Sequence, residues 1–241
     1  MLKESITAIQ DQDERYSNYN SYADHHFYAK KVFALITKLY PNEQFQNGLD
    51  VACADGSFAS KLHKTFGIKM YGIDISSKAI EKAKKKGIIS QVQNLEKRFN
   101  FPDNTFELIT ACEIIEHLYD TDFFLTELKR VLKDDGILIL TTPNLVSLVN
   151  RFKMLFGYYP NYVPEYQIGG AGHVRAYTIP TLTKQLTKHG FKVDQIKSPN
   201  ITFPMTSRII PKIFKQLAIE CGDILPKLGS HIIIVVRKVK K

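Results

Sequence analysis

Asp50-Val-Ala-Cys-Ala-Asp-Gly56 follows a short apolar stretch and precedes an amphipathic one, so it reads as a strand-to-helix turn of small and acidic residues. Small side chains there let the backbone approach a ligand, and a helix start adds outward N–H groups and a partial positive charge. Asp74 closes the next apolar stretch, 18 residues beyond Gly56. An acid in that place can accept both hydroxyl protons of a ribose. Together, in one strand–helix–strand unit, the two features favour nucleoside binding.

A second group lies downstream. In Glu113-Ile-Ile-Glu116-His117 the two carboxylates are three residues apart and share a side of a helical turn. His117 offers an imidazole of the kind that serves as a general base; its other reading is a cap or packing residue. The run also offers oxygen and nitrogen ligands, but neighbouring Glu116 and His117 point apart on a helix, so no metal is expected. His173 lies in a Gly-rich loop between Tyr162, Tyr166 and Arg175. It suits either holding an acceptor or pinning that loop to the rest of the chain. His25, His26, Arg15, Tyr16, Tyr19 and Tyr22 precede or open the first helix, as a lid or as solvated sequence.

These residues need elements to hold them. Ser21 to Asp24 reads as a capping box ahead of a helix that Pro41 ends. Strands are expected at 48–53, 69–74, 88–93, 106–112, 136–142, 191–196 and 232–236, with helices between most of them. Strands alternating with helices imply a parallel sheet covered on both faces, and the unbroken apolar run Ile137 to Leu140 fits burial from both sides. After Pro143 the rhythm changes: a helix is expected near 146–156, then a long aromatic loop over 157–172. The expected fold is α/β, a Rossmann-like seven-stranded mostly parallel sheet with helices on both faces and an inserted helix-loop lid after the fifth strand. One domain covers 1–241: an N-terminal helix and lid over 1–45, a core over 46–143, the insertion over 144–177 and the rest of the sheet over 178–241.

The 241 residues are 44% hydrophobic and 24% charged, which excludes wholesale disorder. No apolar run reaches the length of a spanning helix, and the N-terminus shows none of signal-peptide length. Cys53, Cys112 and Cys221 form no CxxC pair. A cytoplasmic location is therefore expected. The net charge of +9 admits a polyanionic partner, yet its densest run, Lys82 to Lys86, sits on one apparent helix as a solvated face. Ile209, Ile210, Ile213, Phe214 and Leu217, flanked by Arg208, Lys212 and Lys215, form a stripe suited to packing or to peripheral contact with an anionic membrane. Packing is preferred, because the closing strand must return to the sheet.

The stretch from about 46 to 144 resembles class I S-adenosylmethionine-dependent methyltransferases. Asp50 to Gly56 matches the spacing of their D-x-G-x-G-x-G motif, with Ala52 and Ala54 replacing glycines. Tyr71-Gly-Ile-Asp-Ile-Ser76, Phe101 to Leu118, Glu127 to Gly136 and Thr141-Thr-Pro-Asn144 are similar to later motifs. The resemblance implies S-adenosylmethionine as cofactor, held by Asp50, Ala52, Ala54, Gly56 and Cys112. It implies Asp74 on the ribose, with Ile75, Asn94 and Leu95 around the adenine, and Glu113 near the sulfonium or the acceptor. Gly172 to Arg175, Tyr177-Thr178 and Lys188 to Val193 resemble small-molecule methyltransferases, including ubiquinone-pathway and cell-surface-polysaccharide enzymes. The implied reaction is O-methylation of a small molecule or saccharide hydroxyl, with His117, His173 and Glu113 as catalytic candidates. Tyr162, Tyr166 and Arg175 are the candidates for the acceptor, which would enter under 158–177. Nucleic acid is not expected as a partner, since no RNA-binding module is visible. The alternatives are an RNA methyltransferase and a non-catalytic binding protein of this fold.

Overall fold

The strand order β3-β2-β1-β4-β5-β7-β6 sets the site, because it reverses direction beside β1. A computed structural model describes residues 27–43, 45–163, 172–202 and 221–239. Its strands are β1 (Asn47–Val51), β2 (Lys69–Asp74), β3 (Ile89–Val92), β4 (Phe106–Cys112), β5 (Leu132–Pro143), β6 (Phe191–Lys197) and β7 (His231–Lys238). Neighbouring pairs among β1 to β5 run parallel, while β7 runs antiparallel to both β5 and β6. This is the expected seven-stranded, mostly parallel sheet.

The helices are α1 (Phe27–Glu43), α2 (Ser57–Phe66), α3 (Ser77–Lys85), α4 (Thr121–Val131), α5 (Leu148–Leu155) and α6 (Ile179–Lys188). Alternation along the strands divides the core into two layers. Leu138 and Leu140 of β5 join Ile232, Ile234 and Val236 of β7 beneath Leu125 and Leu128 of α4 and Leu182 of α6. Ile137 and Ile139 join Ile233 and Val235 on the opposite face, beneath Val32 and Ile36 of α1 and Ala59 and Leu62 of α2. Both faces of the central strands are therefore dry, which explains their unbroken apolar runs.

Helix starts follow their side chains. Ser76 accepts the Ala79 N–H, Asp120 accepts the Phe123 N–H, and Thr178 forms a capping box with Thr181. Two boundaries differ from expectation. α1 runs past Pro41 to Glu43, since proline keeps a helical φ and here removes a donor only in the last turn. β5 begins at Leu132 rather than Gly136, because Leu132 pairs with Phe106 before the register shifts toward Leu108. The insertion after β5 contains α5, anchored by two buried asparagines. Asn144 donates to the Gly229 carbonyl and accepts from the Val146 N–H, and Asn150 exchanges hydrogen bonds with Asn161. The capping box at 21–24, the N-terminal histidines and tyrosines, Tyr166 and the apolar stripe at 209–217 lie outside the described residues. Among the described residues no helix is long and apolar enough to cross a membrane.

Candidate functional site

β1 leads into the crevice where α/β sheets bind ligands, with β2 on one side and β4 on the other. The turn that follows β1 is built from left-handed residues: Ala52 has φ 58°, Ala54 φ 49° and Gly56 φ 71°. Beside it opens a cleft of about 390 Å³, part of it open solvent, lined by Asp50, Ala52 to Asp55, Phe58, Cys112, and Tyr28 and Ala29 of α1. The turn is held at both ends. Cys53 donates its N–H to Ile73, and the Ala54 N–H reaches the Asp74 carboxylate at 2.9 Å. Asp55 accepts from the Ser57 N–H and from Lys86 at 2.5 Å. Alanine at φ > 0 carries Cβ strain of about 1 kcal/mol that glycine lacks. Ala54→Gly is therefore expected to raise the thermal midpoint; a lowered midpoint would show that the Ala54 methyl contributes more packing than its backbone loses.

Two acidic side chains line the cleft. They are Asp50 and Asp55; among the described residues no basic side chain lines the cleft, and Lys86 pairs with Asp55 from beside it. Burial would raise the Asp55 carboxyl, but hydrogen bonds from Lys86 and Ser57 outweigh it and hold the group below the usual carboxylate range. Asp50 is buried at the end of β1 and accepts from the Thr110 hydroxyl at 2.6 Å. Burial raises its pKa from 3.8 to about 7, against the Thr110 hydrogen bond and with help from Asp74 and Asp55. The thiols of Cys53 and Cys112 are pushed well up, mainly by burial and then by Asp50, so they stay neutral. The sign for stability follows. Between the unfolded and folded pKa of Asp50 the native state keeps a proton that the unfolded chain has released, so stability falls as pH rises from about 4 to 7. Asp50→Asn removes that contribution while its side-chain oxygen can still accept from Thr110. Wild type minus variant, in urea melts from pH 5 to 8, is expected to decline across the series. A flat difference would mean that Asp50 is not titrating there.

Asp74 is buried at the tip of β2, its oxygens accepting the Ala54 and Ser76 N–H groups. Ile75 follows it, half-buried. Asn94 has its carbonyl oxygen on the Glu96 N–H, and Leu95 is buried in the core layer of Phe99 and Ile109. Leu95 is thus a packing residue as well as an adenine-site candidate.

The downstream group lies at the same edge of the sheet. Glu113 has φ 52°, which turns the chain sharply out of β4 into the short 3-10 turn Ile115–His117. Its carboxylate accepts from Thr141 at 2.6 Å and stands 3.5 Å from His231 Nε2. Glu116 is 1% exposed and accepts from the Thr142 hydroxyl at 2.9 Å. Burial raises both carboxyls, and Glu116 raises Glu113 further. His117 packs edge-on to His173, ring centroids 4.7 Å apart. One expectation is corrected here. Glu116 and His117 do not point apart: His117 Nε2 is 4.0 Å from Glu116 Oε1, because the Gly172 carbonyl at 3.1 Å draws the ring inward. Glu116, His117 and His173 place ligand-capable atoms within 4.8 Å of one another, against the expectation of no metal-ligating cluster.

Arg175, a candidate for the acceptor, also ties the loop down. It donates to the Tyr119 carbonyl at 2.6 Å and to the Thr121 hydroxyl at 3.1 Å, tying the loop to the start of α4. Tyr162 is 51% exposed and holds its ring between His173 and His231. Sequence reasoning passed over His231, Tyr28 and Phe58. His231 opens β7 opposite Pro143 of β5, so strand pairing alone brings it to the site.

A family model described as a methyltransferase domain matches residues 24–196. The chain belongs to this methyltransferase family. It is a class I, S-adenosylmethionine-dependent member. A ubiquinone biosynthesis O-methyltransferase from Pelagibacter ubique is 34% identical over 100 residues, 40% of this chain and 41% of that one. A norajmaline N-methyltransferase from Rauvolfia serpentina is 31% identical over 101 residues, 38% of this chain and 34% of that one. The matched stretch thus spans only about a third to two-fifths of either relative. The crystal structure of an S-adenosylmethionine-dependent methyltransferase from Mesorhizobium loti superposes with a TM-score of 0.62 at 16% identity, covering 90% of this chain and all of that one. That likeness establishes the fold of the methyltransferase.

S-adenosylmethionine is the cofactor of this class, and the methyltransferase has residues that fit it. The turn after β1 keeps a positive φ at Ala52 and Ala54, where the family motif has glycine, so the backbone path survives the substitution. Two carboxyls, Asp50 and Asp55, line the cleft where the sulfonium and ammonium groups of this cofactor would lie, with Lys86 paired to Asp55 beside it.

Proposed function

We propose that this chain transfers a methyl group from S-adenosylmethionine to a hydroxyl oxygen of a small molecule, a saccharide or similar alcohol. The observation that supports this most is adjacency. Cys112 lines the cofactor cleft, and the titratable group begins at the next residue, Glu113. In this reading Asp74 takes the ribose hydroxyls, the turn from Asp50 to Gly56 lies along the amino-acid part, and Ile75, Asn94 and Leu95 border the adenine. S-adenosylmethionine supplies the activated methyl carbon. A hydroxyl acceptor must lose its proton, and His117 or His173 takes it while Glu113 sits close to the reacting centre. Tyr162 and Tyr158, both exposed, offer faces for the apolar side of a ring. Tyr166 and Arg175 complete the acceptor side, Arg175 by fixing the loop. The same assignment leaves nucleic acid out.

The test uses S-adenosylmethionine labelled in its methyl group, the full chain, and two acceptor pools: a small-molecule extract and total RNA. Label in an alkali-stable ether of the small-molecule pool is expected. Label confined to RNA, or to nitrogen or carbon acceptors, would contradict the proposal.

A further inference from the structure

We propose that Glu116, His117 and His173 form a binding site for one divalent cation of the zinc, cobalt or manganese type. The case rests on their ligand chemistry and holds independently of the acceptor. Three observations converge. First, the donor atoms of these residues lie within 4.8 Å of one another, and Glu116 Oε1 is 4.0 Å from His117 Nε2. Two ligands on a tetrahedral cation at zinc-like bond lengths stand about 3.4 Å apart, so binding would draw the three side chains together by roughly an ångström.

Second, both imidazoles are oriented as metal ligands usually are. His117 Nδ1 is 3.1 Å from the Gly172 carbonyl, and His173 Nδ1 is 3.0 Å from the Tyr162 carbonyl. A carbonyl only accepts, so each Nδ1 carries the proton and each Nε2 carries the lone pair a cation requires. Third, among the described residues Glu116 Oε1 is buried with no hydrogen-bond partner, while the other oxygen of the same carboxylate accepts from Thr142. A buried acceptor left unpaired is unfavourable, and a cation relieves that penalty.

Two neutral imidazoles and one carboxylate make a nitrogen-rich set, which suits zinc and its first-row neighbours better than magnesium or calcium. Three protein ligands leave a further position open, as in catalytic rather than structural sites. The Thr142 hydroxyl and the two carbonyls act as the outer partners that fix the ligands. If hydroxyl methylation holds, the open position would take the acceptor oxygen, and with both imidazoles engaged its proton would pass to solvent instead of to His117 or His173. That consequence alone depends on the proposed function.

The experiment titrates the metal-free full chain with zinc, manganese and cobalt chlorides by calorimetry, with the visible absorption of cobalt as a coordination reporter. Wild type is compared with Glu116→Gln, His117→Ala and His173→Ala. One cation per chain is expected, with each substitution weakening it by more than the roughly 10–100-fold typical of an outer partner. Circular dichroism verifies the fold; His173 is only partly buried and tests the site if the buried Glu116 variant unfolds. No saturable binding by wild type, or undiminished affinity in a folded His173→Ala chain, overturns the proposal. S-adenosylmethionine affinity, measured on the same samples, reports the cofactor cleft separately. Its failure would overturn the proposed function and leave the cation site standing.

Discussion

Asp74→Ala is expected to weaken S-adenosylmethionine binding by roughly 5–150-fold, the equivalent of the 1–3 kcal/mol carried by hydrogen bonds to a charged group. The loss extends beyond the ribose. The Asp74 carboxylate also accepts the Ala54 and Ser76 N–H groups, so the variant leaves donors at a buried position and loosens the turn from Ala52 to Gly56. Stability should fall with affinity, again by about 1–3 kcal/mol for an unpaired buried group. Asp74→Asn separates the two effects, because one oxygen remains to accept. It should recover part of the stability and less of the affinity. Calorimetry and urea melts on both variants check this; a folded Asp74→Ala chain with wild-type affinity would remove Asp74 from the site.

Gly56→Ala is expected to destabilise the chain by about 2–5 kcal/mol, a large share of the 5–15 kcal/mol that typically holds a folded protein. Two terms add. At φ +71° a side chain is strained, and an added Cβ would stand 2.9 Å from the Ala83 Cα and 2.7 Å from its Cβ. The obstruction is helix α3 itself, so it cannot rotate away. The contrast with Ala52 and Ala54 explains the pattern of the motif. Those two also have positive φ and line the cleft, where Ala54 is buried and Ala52 packs against the core, so their methyl groups are accommodated and backbone strain is the remaining cost. Gly56 is wedged between two helices and cannot be replaced in the same way. A thermal midpoint within a few degrees of wild type would contradict this account.

The contrast also shows what the sequence can reveal. Asp50 to Gly56 and Asp74 were readable because each spans one strand end and one helix start, where local pattern and chemistry coincide. The strands were readable for a related reason: Ile137 to Leu140 is apolar at every position because both faces are covered. The cluster around Glu116 was not readable. His117 and His173 are brought together by a loop returning past the end of β4, and His231 by antiparallel pairing with β5. Local spacing even misleads there, since helical geometry separates neighbouring Cβ atoms while the longer Glu116 and His117 side chains converge. At Arg175 the charge suggested a ligand role, while its hydrogen bonds to the Tyr119 carbonyl and Thr121 hydroxyl, which hold the loop, left no local signal.

The most direct test of the central claim is a calorimetric titration of the full chain with S-adenosylmethionine, repeated on Asp74→Ala. The cleft beside the turn after β1, bordered by acids, predicts saturable binding at one site per chain with a dissociation constant between about 1 µM and 1 mM, weakened in the variant. An absence of saturable binding by wild type in that range, or equal binding by the two proteins, would contradict it.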